Sequence, residues 1–108
     1  MSSQLRLFFA PAARRDIRDE ALYLTIHGSE EVSDRFVDAV NHTAMLLCGS
    51  PGIGNIFPLA AGGQKEFRSF PVSGSFGKRL IVYSFGRTTL RVERVVHGAR
   101  NLDHLFQR

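Results

Sequence analysis

The spacing of apolar residues changes period partway along the chain, and that change limits the folds open to it. From Pro11 to His27 the apolar positions Ala13, Ile17, Ala21 and Leu24 recur at helical spacing, while Arg14, Arg15, Arg18 and Asp19 fall mainly elsewhere around the helix. In the second half the period is two: Lys65 to Val72, Phe76 to Phe85 and Leu90 to His97 are rich in β-branched and aromatic residues, with Gly- or Thr-containing turns between them. Helical patterning first and strand patterning afterwards predict an α+β arrangement, with helices segregated from an antiparallel meander.

The boundaries agree with this reading. Leu5 to Phe9 is a short apolar run broken only by Arg6, and Pro11 after it suits the first turn of a helix. Gly28 is expected to close that helix in a left-handed conformation, and Ser29 to cap the next, with Glu30 and Glu31 at its positive end. The second helix is expected from about Glu30 to Cys48, with Val32, Phe36, Val40, Thr43 and Leu47 on one stripe, stopping at Gly49-Ser50-Pro51. Residues 49–63 hold five of the ten glycines and two of the four prolines, a loop whose Ile53, Ile56, Phe57 and Leu59 are expected to pack down. Asn101 to Gln107 reads as one capped helical turn. The expected order is β-α-α-β-β-β in one domain spanning residues 1–108, without internal repeats.

Charge and rare residues narrow the partners. A formal net charge of +4 favours an anionic partner, either nucleic acid or an acidic protein. Only Lys65 and Lys78 are lysines, so nearly every cation can form planar bidentate contacts. Cys48 is the single cysteine, which rules out an internal disulfide and any zinc site with several thiolates, and favours a reducing compartment. His27, His42, His97 and His104 lack metal-ligand spacing, and Gly62-Gly63-Gln64-Lys65 lacks the context of a phosphate loop, so no metal, nucleotide or other cofactor is expected. The opening MSSQLRLFFA does not read as a secretory signal, and no stretch approaches membrane-spanning length. A cytoplasmic protein without a membrane partner is expected.

Six ordered segments carry a family resemblance. They are Pro11-Ala12-Ala13 with Asp16-Ile17, Gly28-Ser29-Glu30-Glu31 before Asp34-Arg35-Phe36, Ser50-Pro51-Gly52-Ile53-Gly54, Arg68-Ser69-Phe70-Pro71-Val72, Leu80-Ile81-Val82-Tyr83, and Arg94 to Arg100. Together they resemble the ParE branch of the ParE/RelE toxin superfamily, in which a helical hairpin packs on a small antiparallel sheet. The resemblance implies a type II toxin held inactive by a cognate ParD-like antitoxin, commonly through the antitoxin's C-terminal segment. ParE-type members poison DNA gyrase, whereas RelE-type members cleave mRNA in the ribosome.

The nuclease alternative is testable residue by residue. Cleavage through the 2′-hydroxyl needs a base, cations around the phosphorane and an acid for the leaving oxygen. Lys78-Arg79-Leu80-Ile81-Val82-Tyr83 and His97 resemble the arginine strand and terminal histidine of the YoeB-type nucleases, making Arg79 and His97 the catalytic candidates of that reading. The glutamate base of that branch stands in a Glu-Pro-Leu context, but here the stretch reads Phe57-Pro58-Leu59. Ala99-Arg100-Asn101-Leu102 follows where RelE-like nucleases place a stacking aromatic, with Phe106 only a distant substitute. Glu66, between Lys65 and Arg68, reads as a cross-strand ion-pair partner rather than a base. A target-binding, non-enzymatic toxin is therefore the leading expectation. The mRNA endonuclease is the alternative, and a non-toxic basic nucleic-acid-binding module on the same fold is a third reading.

Arg68, Arg79, Arg94, His97 and Arg100 are the candidates for contacting target or antitoxin. Arg94 shares strand parity with Leu90, Val92 and Val96, so an ideal strand sends it to the apolar face, where it needs a partner. An ion pair with Asp16, Asp19 or Glu20 is favoured over an arginine aimed at the target. His97 is expected to fix the turn before Gly98, and Gly98 to permit a chain reversal. Arg68, Arg79 and Arg100 are expected to join Arg91 in a basic zone, or to lie on a solvated strand face. Tyr83 and Phe85 are read as core, with an aromatic floor for a base or side chain as the alternative.

Overall fold

The computed structural model of the chain describes residues 4–57 and 66–98. They form strand β1 (Arg6–Phe9), helices α1 (Pro11–His27) and α2 (Glu30–Gly49), and strands β2 (Asn55–Phe57), β3 (Phe67–Pro71), β4 (Arg79–Phe85) and β5 (Thr89–His97). The sheet order is β1-β5-β4-β3-β2. Neighbours from β2 to β5 run antiparallel, and β1 lies parallel to β5 with Phe9 beside Val92. The fold is therefore α+β, a strand and helical hairpin followed by a meander within a mixed sheet. The turn expected at residues 101–107, together with Pro58, Leu59, Arg100 and Phe106, lies outside the described residues.

Two stretches differ from the sequence expectation. Asn55–Phe57, inside the expected loop, pairs with β3 as an edge strand of three residues, too short to show a period. Phe76, expected in a strand, ends a short 3-10 turn (Gly74–Phe76), and β4 begins only at Arg79. The Phe76 ring meets Phe36 edge-on at 5.5 Å, so its aromatic character serves the core rather than a ladder.

The hairpin turns tightly. Ser29 Oγ accepts the Val32 N–H at 3.1 Å, and Ser33 Oγ on α2 donates to the Ala21 carbonyl on α1 at 2.9 Å. Gly28 is not left-handed as expected but sits at φ −136° and ψ −100°. A side chain there would place its Cβ 2.9 Å from the Leu24 carbonyl oxygen, so glycine is required by close approach. Both helices pack onto the face carrying Ile81, Tyr83, Leu90, Val92 and Val95, where Ala13, Phe36, Val40, Ala44 and Leu47 complete the core. Burying several such side chains, at about 1.5–3 kcal/mol each, is the main term holding the layers together.

β5 breaks the parity assumed from its sequence. Val92 stands opposite Tyr83, but Arg94 stands opposite Val82, so Glu93 is an extra residue, a β-bulge. Beyond it the faces exchange: Val95, not Val96, joins Leu90 and Val92 in the core, and Arg94 shares the face of Val82 rather than theirs. The expectation that Arg94 points to the apolar face is thereby corrected.

Just past the bulge β1 has ended, its last contact being Ala10 N–H to the Val92 carbonyl at 2.9 Å. Asp16, in the second turn of α1, takes over that edge. Its Oδ2 accepts from Arg94 Nε at 2.7 Å and from the Val95 backbone N–H at 2.9 Å, while Oδ1 accepts from Arg94 Nη2 at 3.0 Å. The fork geometry and the partial burial of both side chains make this a strong charge-assisted contact. The bond to Asp16 raises the Arg94 pKa, outweighing partial burial, which acts in the opposite direction.

The other end of the sheet is fixed by Tyr83. Its hydroxyl donates to the Pro51 carbonyl at 2.7 Å and accepts the Gly54 N–H at 3.0 Å, while Arg68 Nη1 donates to the carbonyls of Gly52 at 3.2 Å and Gly54 at 2.9 Å. Any side chain at residue 54 would place its Cβ 2.4 Å from the Tyr83 oxygen, which explains the second glycine of Pro51-Gly52-Ile53-Gly54.

Two measurements check these fixings. Asp16→Ala is expected to cost on the order of 3 kcal/mol in urea unfolding, since it strands a half-buried guanidinium and a backbone donor. Asp16→Asn, which can still accept the Val95 N–H, should cost less. Tyr83→Phe should cost about 1–3 kcal/mol, because a buried N–H and a carbonyl lose their partner. Burial raises the Tyr83 pKa, partly opposed by the Gly54 hydrogen bond and the Arg68 charge. The neutral hydroxyl is thus the form the fold favours. Its contribution should be complete below about pH 10, the ordinary tyrosine value, and fall as pH rises through the folded value. Tyr83→Phe should lack that part of the alkaline loss.

Candidate functional site

The cleft of interest lies between α1 and the paired ends of β4 and β5, and has a volume of about 470 Å³. Successive turns of α1 supply Asp16, Glu20 and Tyr23 to one wall, and the sheet supplies Arg79, Arg94 and His97. Arg79 and His97 are direct cross-strand partners, so one register places both side chains on the helix side. Lys78 extends the pairing, its carbonyl accepting the Gly98 N–H at 2.7 Å. Gly98 therefore makes one more rung of the pairing and stands at a turn just past β5, with a φ that is not positive; the course of the chain beyond it lies outside the described residues.

Glu20 is the hub of the cleft. Its Oε2 accepts from Arg79 Nε at 2.8 Å and from Nη2 at 2.5 Å, and its Oε1 lies 3.4 Å from His97 Nε2. The Arg79 guanidinium also stands over the Phe36 and Phe76 rings, 5.7 Å from each centroid, which anchors it against the core. Both arginines of the cleft are thus held by α1 carboxylates, Arg79 by Glu20 and Arg94 by Asp16. His97 is the more open group, with 39% of its side chain exposed.

The remaining candidates lie elsewhere. Arg68, on β3, serves the Pro51–Gly54 turn and pairs with Glu66 at 3.5 Å, two residues away along the chain rather than across a strand. The Phe85 ring lies 6.0 Å from its guanidinium. Arg91 pairs with Glu93 at 3.1 Å and stacks over Phe8 at 5.2 Å. Arg68 and Arg91 consequently do not join Arg79 in one basic zone. Tyr83 is fully buried and Phe85 is 40% exposed, which divides the pair between core and surface. Arg100 lies outside the described residues.

Sequence reasoning missed the role of Glu20. The signal was present, since Asp16 and Glu20 are four residues apart on one helix face, but β4 and β5 had to be placed before either could be matched to a cation. Chemically, the cleft holds a carboxylate, an imidazole and a guanidinium in mutual contact, yet the carboxylate is already engaged by Arg79. Among the described residues no group of His, Cys, Asp and Glu is arranged to hold a metal ion, and no helix is long and apolar enough to cross a membrane.

Comparison with known proteins adds the family. No curated protein matches the chain in sequence. Among solved structures, it is similar to a chain of the chromosomal ParDE TA system from P. aeruginosa, with a TM-score of 0.67 and 12% identity, covering 87% of this chain and 96% of that one. It is also similar to a chain of the E. coli DinJ-YafQ toxin-antitoxin complex, with a TM-score of 0.54 and 16% identity, covering 96% of this chain and 99% of that one. At such identities the likeness establishes the fold. The model of the family described as the ParE toxin of the type II toxin-antitoxin system parDE matches residues 7–102, which takes in β1 but for Arg6, the hairpin, the remaining strands and the cleft, and the chain therefore belongs to the ParE toxin family.

Proposed function

We propose that this chain is a cytoplasmic toxin that inhibits DNA gyrase by binding it, without enzymatic chemistry of its own, and is neutralised by a cognate ParD-like antitoxin. The family match across residues 7–102 carries the proposal. Binding is favoured over cutting because the one carboxylate within reach of His97 is tied to Arg79 through two hydrogen bonds. Asp19 also lines the cleft, but no contact with His97 is formed by it. The contact surface for target or antitoxin is proposed to include Arg68, Arg79, Arg94, His97 and Arg100, with His97 the most accessible of those described.

A second reading, ribosome-dependent mRNA cleavage, is favoured by one observation: Arg79, His97 and Glu20 converge in a single cleft. Such a set would supply a cation, an acid and a base if Glu20 left Arg79.

Two assays separate the readings. Purified protein should inhibit supercoiling by gyrase, and equimolar antitoxin should relieve the inhibition. With translating ribosomes it should leave mRNA intact. Cuts in the mRNA that disappear in His97→Ala, with supercoiling untouched, would replace the first reading by the second.

A further inference from the structure

The cleft between α1 and the ends of β4 and β5 is neutralised from within the chain, with one exception. Asp16 and Arg94 satisfy each other, as do Glu20 and Arg79. Asp19, exposed on the same wall, has no ion pair or hydrogen bond among the described residues. Three carboxylates thus stand against two guanidiniums, so with His97 neutral the cleft has one negative charge in excess, in a chain whose formal charge is +4. Its mouth is apolar. Tyr23 lines the cleft, its ring 4.3 Å from that of His27, and beside it on the outward side of α1 stand Leu22 and Ile26, 59% and 68% exposed. Leu22 and Ile26 are one turn apart on the same helix face. An apolar ledge bordering a cleft with an unanswered charge has the make-up of a docking surface rather than of a solvated helix face.

From this arrangement we infer that the cleft and its ledge receive an arginine-bearing segment of the target protein. Charge complementarity selects a cation, since a phosphate or carboxylate entering the cleft would meet Asp19 unscreened. A guanidinium fits better than an ammonium. Its planar fork can donate to the Asp19 carboxylate and to Glu20 Oε1, which is met only by His97 Nε2 at 3.4 Å among the described residues. Tyr23 lies one turn beyond both carboxylates, so its ring can cover the face of the same guanidinium. Apolar residues flanking the partner's arginine would cover Leu22 and Ile26. Arg79 and Arg94 contribute by fixing Glu20 and Asp16. The occupant is assigned to the target rather than to the antitoxin, because a chain of net charge +4 calls for an acidic neutralising partner while this site selects a basic one. The inference rests on the target-binding reading and specifies which surface serves it and with which chemistry.

The test uses the full-length chain, first with N-acetyl-L-arginine amide and then with gyrase. The arginine compound should shift the backbone amide resonances of Asp19, Glu20, Tyr23 and His97 saturably, and the lysine analogue should bind more weakly. Asp19→Asn should weaken the arginine compound on the order of 10-fold. Against gyrase, Asp19→Asn and Ile26→Asp should each weaken binding on the order of 10-fold, while antitoxin binding stays within about twofold of the parent. Asp38→Asn changes an exposed α2 carboxylate away from the cleft, and should stay within about twofold throughout. Circular dichroism should show all variants folded, since the three altered residues are exposed. The inference is overturned by the absence of saturable shifts at the cleft, by parent-like gyrase binding in both cleft variants, or by an equal loss in Asp38→Asn. Loss of antitoxin binding in step with gyrase binding would overturn the assignment to the target. If the unaltered chain takes up the arginine compound at the cleft but does not bind gyrase, the chemistry of the site stands and the gyrase reading fails, a result distinct from the others.

Discussion

The contact between Asp16 and the Arg94-Val95 segment is where the helical layer and the sheet become one structure. β1 accompanies β5 only as far as Val92, and the bulge at Glu93 follows immediately. Left alone, the edge beyond would present an unpaired backbone donor and a misplaced guanidinium. One carboxylate answers both, and because it sits on α1 it also sets the rotation of that helix against the sheet. The same rotation turns Glu20, one turn later, toward Arg79 and His97, and turns Arg14 and Arg18 toward α2. The acidic and the basic residues of α1 thus lie on two sides of one helix, whose orientation the Asp16 contact and the packing of Ala13 and Ile17 fix together.

At the far end of the sheet a different economy applies. The Pro51–Gly54 turn has few side chains able to bury themselves, so it is secured through its backbone, by the Tyr83 hydroxyl and the Arg68 guanidinium. Arg68, which reads in sequence as a surface cation for a partner, spends its donors largely within the chain. Its Glu66 contact is mostly solvent-facing and contributes little by comparison.

Much of the fold was legible because its signals are local. Helix limits follow from Pro11, Gly28, Ser29 and Gly49, and the three long strands from their period. What escaped sequence reasoning is non-local. β2 exists because β3 offers it an edge, Phe76 faces Phe36 rather than a ladder, and the bulge reverses the side assigned to Arg94. The site was half legible: Arg79, Arg94 and His97 were singled out, and an α1 carboxylate was foreseen for Arg94. The double engagement of Glu20 was not foreseen, since it depends on the register that brings Arg79 beside His97. The packing of Val37 escaped too, since it stands off the stripe of Val32, Phe36 and Val40 yet is half-buried against the core.

The parallel pairing of β1 with β5 ties the first strand of the chain to the last, and Asp16 and Arg94 are 78 residues apart in sequence. Closing so long a loop is entropically costly and slow, whereas the hairpin of α1 and α2 can form early from neighbouring residues. A nascent chain of this kind can therefore organise its helices while the sheet still lacks β4 and β5, and its cleft cannot exist until β5 has been made. The cleft is thus completed only late in synthesis, while the helical hairpin is among the first parts able to form.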